Sequence, residues 1–189
     1  MDFIITIDKY TNKNCNQLNT IITNSVSLIH LFKANAESIL KTSFEKVIIS
    51  KKVYQETVIS GKKKGYSDAF RIEKAIGDFI EVEDLETKYK SYAHKLQAMG
   101  LGPGEAETIA LAKQLKVPAI LDEKSARKAA DYSGIEYFGT FYLIYRAAEK
   151  KPIPPKEAKL TVQKLIANGF RISSELYIEF DKLIDELDS

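Results

Sequence analysis

The chain has 189 residues, 44% hydrophobic and 29% charged, with a formal net charge of +2. This length and balance suit one α/β domain with a sizeable core. The near-neutral charge excludes a strong whole-protein footprint for nucleic acid, so any such binding must rest on a local basic patch. The candidates are Lys62-Lys63-Lys64 and the pair Lys150-Lys151; on charge pattern alone both also read as a solvated loop and a helix C-terminus. No apolar run reaches the roughly 20 residues that span a bilayer. The start, "MDFIITIDKY", carries Asp2 and Asp8, has no basic flank and does not read as a signal peptide. The single cysteine, Cys15, excludes an intrachain disulfide and fits a reducing, cytoplasmic setting.

In chain order, residues 1–19 read as an N-terminal extension and 20–189 as the domain proper. "NTIITN" ends a β-branched run and predicts a buried strand; "SVSLIHLFKANAESILK" predicts one helix or two short ones. "KVIIS" is a second strand, with Ser50 as N-cap of the next helix and Gly61 as its stop. Ser67 opens a short helix, "SDAFRIEKAI". "DFIEVE" alternates apolar and acidic residues, as an edge or half-buried strand does. An amphipathic helix ends at Gly100, and the helix of "GLGPGEAETIALAKQL" follows. "VPAILD" is a short buried strand, then come a helix stopped by Gly134, the strand "IEYFG" and the helix "TFYLIYRAAEKK". "PIPP" is a stiff connector to two closing helices, near 156–168 and 174–187. Alternating strands and helices predict an α/β fold, a mainly parallel central sheet covered by helices on both faces.

The segment "GLGPGEAETIALAKQL" sets a puzzle. Its middle is apolar on most faces, as in a buried helix, yet Glu105 and Glu107 stand at its mouth. In open α/β sheets ligands bind beyond the carboxyl ends of the strands. Asn24 follows the first strand, Glu56 lies on the helix after the second, and Asp122 and Glu123 follow "AIL". Glu105 and Glu107 begin the helix before that strand. Such a set of hard oxygen donors, without His or Cys, suits Mg²⁺ or Mn²⁺, and crowded carboxylates need a cation. Each residue also has a plain structural reading. Glu105 fits the third helical position behind a Gly102 cap and Pro103; Asp122 could cap the next helix; Glu56 could pair with Lys52; Asn24 could be a cap. His30 and His94 have no ligand-like spacing and read as structural, Ser25 and Ser27 form no nucleophile elbow, and no phosphate-binding glycine loop is present.

The order "IITNSVSLIHLF", "VIISKKVYQETV", "GLGPGEAETIALAKQL", "AILDEKSARKAA", "YFGTFYLI" resembles the PIN-domain superfamily. The likeness, from about residue 20 to 181, is closest to a prokaryotic, mainly archaeal, VapC-like branch of poorly defined function, and includes the tail "ANGFRISSELYIEF". It implies a three-layer α/β/α sandwich and an endoribonuclease dependent on Mg²⁺ or Mn²⁺. It also implies an RNA substrate, often an antitoxin partner, and often a homodimer. By resemblance the second, third and fourth acids of the family are Glu56, Glu105 and Asp122, with Glu123 as the other choice for the fourth. Arg127 matches a basic position after the fourth acid. The first acid is replaced: Asn24 stands where an aspartate is expected, and Asp8, after the similar "FIITI", is a second candidate for that charge. The resemblance therefore supports two readings: a nuclease, or a weakened module that binds RNA or a partner protein without cutting.

Overall fold

The central strand, β1 (Thr20–Thr23), follows directly from its composition: Ile21 and Ile22 are β-branched, fully buried, and point to opposite faces of the sheet. The computed structural model describes residues 19–187. The extension expected over 1–19, with Asp8 and Cys15, lies outside them except for Asn19, whose carbonyl accepts the Lys46 amide at 3.0 Å.

Four further strands complete an all-parallel sheet of order β3-β2-β1-β4-β5: β2 (Lys46–Ser50), β3 (Ile80–Glu83), β4 (Ala119–Ile120) and β5 (Tyr137–Phe138). Thr20 pairs in register with Lys46, and Thr23 with Ile120. "IEVE" alternates because β3 is an edge strand, half covered.

Helices fill both faces. One core contains Ile21, Val47, Ile49, Ile80, Ile120 and Phe138 beneath α1 (Ser25–Lys33), α2 (Glu37–Ser43), α3 (51–63) and α4 (Ser67–Ala75), and beneath α8 (Thr140–Glu149), α9 (Pro155–Ala167) and α10 (Ser174–Glu186). The other contains Ile22, Ile48, Ala119 and Leu121 against α5 (Thr87–Ala98), α6 (Pro103–Leu115) and α7 (Lys124–Ser133). The fold is thus the three-layer α/β/α sandwich. Among the described residues no helix is long and apolar enough to cross a membrane.

The helix after β2, α3, runs in three pieces, Lys51–Tyr54, a π-helical Gln55–Ile59, and Ser60–Lys63. Ser50 caps it, accepting the Val53 amide at 3.2 Å. Gly61 does not stop it, contrary to the sequence expectation: the helix passes through Gly61, and the left-handed residue that ends it is Gly65 (φ 72°). Gly61 serves packing instead. A Cβ there would lie 2.7 Å from the Cβ of Ala69, so its absence lets α3 and α4 touch backbone to side chain. Ser67 opens α4 as its sequence implies, as the first helical residue behind the cap Tyr66.

Gly61→Val should therefore overpack this contact at a cost of about 1–3 kcal/mol. At roughly 2–4 °C per kcal/mol for a domain of this size, the midpoint of thermal unfolding should fall by several degrees. A melt unchanged by the substitution would show that the α3–α4 contact tolerates a larger spacing.

Candidate functional site

The chain builds β1, β2 and β3 outward on one side, then returns to place β4 and β5 on the other. The strand order reverses between β1 and β4, so the crevice beyond their carboxyl ends is where an open α/β sheet offers a ligand site. Asn24 follows β1 directly, and Asp122 lies two residues beyond β4.

Helix α1 starts at this crevice without an acidic residue in its first turn. Asn24 is its N-cap, fully buried, with Oδ1 accepting the Ser27 amide at 3.0 Å. That bond fixes the carboxamide orientation, because the reverse would set an NH₂ against an N–H. The amide oxygen is thus engaged by the cap. The Nδ2 group is left buried without a hydrogen-bond partner.

The hydroxyls of the same turn reach two of the carboxylates. Ser25 Oγ donates to Glu56 Oε2, and Ser27 Oγ donates to Asp122 Oδ2 at 2.7 Å. Glu56 enters from the π-helical segment of α3, a backbone irregularity that recurs at functional sites. Its carboxylate rests on Gly104: a Cβ there would come 2.3 Å from Glu56 Oε2 and 3.1 Å from Ser25 Oγ. Gly104 thus provides the space that Glu56 occupies.

Asp122 is held from several sides. Oδ1 accepts the Thr140 amide at 2.8 Å, and Oδ2 accepts the Thr140 hydroxyl at 2.6 Å. An anion is favoured there by the amino end of α8, whose cap, Gly139, has no side chain to serve that role. Asp122 therefore caps α8 and not α7, the helix that directly follows it; the cap position of α7 is Glu123. Arg127 lies inward: its Nε donates to the Leu121 carbonyl at 2.9 Å and its Nη2 stands 3.8 Å from Asp122 Oδ1. A Cβ on Gly139 would come 2.6 Å from that Nη2. Arg127 braces the exit of β4.

Glu105 stands at the third position of α6 behind Gly102 and Pro103, as its sequence implies. Oε2 accepts the Gly102 amide at 3.2 Å, the glutamate half of a capping box. Oε1 is buried and has no partner. Burial, opposed by that amide and reinforced by the charges of Glu123 and then Glu56, pushes the Glu105 carboxyl above the ordinary glutamate value. Glu107 behaves differently: it accepts the Lys52 amide at 3.1 Å and helps cap α3, so the two acids at the mouth of α6 have separate uses.

The raised Glu105 pKa gives a linkage test. The folded state holds the Glu105 proton to higher pH than the unfolded chain does. Stability should therefore fall as pH rises from the ordinary glutamate pKa through the raised one. Glu105→Gln keeps an acceptor for Gly102 and removes the titration. Melts of the metal-free protein across mildly acidic pH should show this loss in the wild type and a flatter profile in the variant; parallel profiles would contradict it.

The remaining sequence candidates lie apart from this crevice or inside the core. His30 packs edge-on against Phe170 at 5.1 Å, and desolvation, aided by Lys33 and opposed by Asp122, lowers its pKa. His94 is exposed on α5. Lys62, Lys63 and Lys64 close the far end of α3, with Lys62 paired to Glu73 at 2.7 Å. Lys150 and Lys151 sit beside a groove of about 680 Å³ lined by Asn19, Lys41, Phe44 and Tyr142, which contains none of the crevice carboxylates.

Whether these residues fit a divalent ion can be tested on their own chemistry. Glu56, Glu105, Asp122 and Glu123 offer only hard oxygens, and Glu105 Oε1 is a buried acceptor with nothing to accept. A hard cation suits both facts. Among the described residues, however, no three His, Cys, Asp or Glu side chains are gathered closely enough to hold an ion by themselves. Serine and threonine hydroxyls and the Thr140 amide meanwhile occupy oxygens of Glu56 and Asp122. Ser25, Ser27, Thr140 and Gly104 are contributors that the sequence alone did not mark; "SVS" after a strand was the available signal, a hydroxyl on alternate residues of a helix start.

No curated protein matches the chain. A family model described as a PIN domain matches residues 20–186, which takes in all five strands and the crevice beyond them. PIN is a nuclease-type fold, and the chain belongs to the PIN-domain family.

Proposed function

We propose that the protein is a divalent-metal-dependent endoribonuclease of PIN type that hydrolyses RNA phosphodiester bonds. The observation that carries this reading is Glu105 Oε1, a buried and unpartnered carboxylate oxygen that feels the charges of Glu56 and Glu123. Glu56 and Glu105 would hold Mg²⁺ or Mn²⁺, with Asp122 or Glu123 as the further acid. Such an ion, when bound, supplies a water of lowered pKa and a positive charge beside the phosphate. The chain's own contribution is positional. Ser25 and Gly104 set the Glu56 carboxylate, while Ser27, Thr140 and Arg127 set Asp122. The proposal extends, on the VapC-like resemblance, to action in the cytoplasm as a homodimer and as the toxin partner of an antitoxin.

Asn24 favours a second reading. Its amide oxygen is taken by the α1 cap, so the group it has to spare is an N–H donor and not a ligand oxygen. A site so altered would bind RNA or a partner protein and cut weakly or not at all.

Incubation of a defined RNA with the protein and Mn²⁺, with chelator as control, separates the two. The nuclease reading expects cleavage that the chelator stops and that Glu105→Gln lowers at least tenfold. RNA binding without any Mn²⁺-dependent cleavage would overturn it in favour of the binder.

A further inference from the structure

Outside the crevice, the turn joining α3 to α4 presents two exposed aromatic rings. Tyr66, the cap of α4, and Phe70, in its first turn, are 49% and 48% exposed. Lysines border both. Lys33 and Lys64 stand 5.7 and 6.0 Å from the Tyr66 ring centre, and Lys62 stands 5.4 Å from that of Phe70. Lys63 adds a fourth charge, and Glu73 is paired into the group on Lys62. Asp68, on the same helix, is buried away from the surface. A large exposed ring is costly to leave in water, and here two of them sit in an excess of positive charge.

We propose that this patch is a stacking platform for single-stranded RNA, with bases on Tyr66 and Phe70 and phosphates on Lys33, Lys62, Lys63 and Lys64. The inference rests on the reading of the protein as an RNA-directed PIN domain. An apolar protein partner would match the rings but leave the lysines desolvated without counter-charges, whereas a nucleic acid strand supplies a flat apolar face and an anion in alternation. A duplex does not, because its bases are stacked on one another. Lys33 and Lys64 are exposed, so a base can take the Tyr66 ring face while an ammonium moves to the phosphate, and Lys62 exchanges its Glu73 partner for one. The platform is also rigidly tied to the crevice. Lys62 is six residues beyond Glu56 on the same helix, about 9 Å at the usual rise, and the Gly61–Ala69 contact locks α4 against that helix.

The chain has no tryptophan, so Tyr66→Trp and Phe70→Trp each install a single reporter at the patch. Each variant is titrated in chelator, where no cleavage occurs, with decauridylate and with a blunt RNA duplex of the same length. Decauridylate should quench the emission, at a midpoint that weakens steeply with salt, and the duplex should not. The double variant Tyr66→Ala/Phe70→Ala should bind labelled decauridylate about tenfold or more weakly by anisotropy, with an unchanged melting temperature. Absence of quenching by decauridylate overturns the proposal, as does equal quenching by the duplex, which would reduce the patch to charge alone. A concentration-dependent blue shift without RNA overturns it too, in favour of a contact between copies of the chain. Binding in chelator is read independently of cleavage. Mn²⁺-dependent cutting without quenching leaves the nuclease reading standing and removes the platform, and quenching without cutting does the reverse.

Discussion

Gly104→Ala is expected to cut the metal response of the protein by half or more while leaving its fold almost untouched. Gly104 is the second residue of α6 and has an ordinary helical backbone, so alanine does not strain the helix itself. The cost falls on Glu56. A Cβ at position 104 would stand 2.3 Å from Glu56 Oε2, and the carboxylate, at the end of a flexible chain, must swing away from Ser25. Displacing one ligand's support typically weakens metal binding roughly 10–100-fold. In the wild type, Mn²⁺ at a hundred times its dissociation constant should add about 2.7 kcal/mol, several degrees in a melt. In Gly104→Ala about half of that shift should vanish at the low end of this range and most of it at the high end, RNA cleavage should fall in proportion, and the metal-free melt should stay within a few degrees. Gly102→Ala is the control, because its Cβ would meet only Glu105 Oε2 at an ordinary 3.4 Å. An Mn²⁺-induced shift in Gly104→Ala equal to that of the wild type would mean that Glu56 does not hold the ion.

Most of the scaffold behind these expectations is legible in the chain. β1 and β2 are short β-branched runs closed by a polar residue, and "IEVE" alternates because one face of an edge strand is wet. Gly134 and Gly100 end helices in left-handed conformations, as their positions after amphipathic runs imply. Gly61 misleads for a physical reason. A glycine near the end of an apolar run is the signature of a helix stop, and equally that of a close contact with another helix. Only the partner, Ala69, tells the two apart, and periodicity carries no information about a neighbour eight residues on. The carboxylates are legible as types at strand ends. Their separate duties are not, since Glu105 and Glu107 are two residues apart on one helix yet answer to Gly102 and Lys52 respectively. The hydroxyls that hold Glu56 and Asp122 are hidden for a related reason: serine and threonine are common at helix starts as caps, and Ser25, Ser27 and Thr140 make long-range bonds that no local pattern encodes.

Asn24→Asp should convert the crevice into a tighter ion site. The two side chains have the same shape and nearly equal worth as N-caps, so the bond from the Ser27 amide survives. What changes is the other terminal atom. A buried NH₂ with no acceptor becomes an anionic oxygen in the turn whose serines touch Glu56 and Asp122. Without metal this adds a like charge to an acidic crevice, and the variant should be less stable than the wild type above the carboxylate range, the loss growing as pH rises through it. With metal the sign reverses. A unit charge about 4 Å from another interacts by about 4 kcal/mol at an effective dielectric near 20, before desolvation is subtracted. A net 1.4 kcal/mol suffices for a roughly tenfold gain in affinity. Calorimetric titration with Mn²⁺ should therefore show tighter binding, the melt should rise further with Mn²⁺ than in the wild type, and cleavage should accelerate at limiting ion. Asn24→Ser keeps a capping oxygen and adds no charge, so it should show none of these gains. The double variant Asn24→Asp/Glu105→Gln should lose them, because both side chains act through one ion. If Asn24→Asp binds Mn²⁺ no better than the wild type, residue 24 does not face the ion, and its unpartnered amide belongs to the packing of α1 against the sheet.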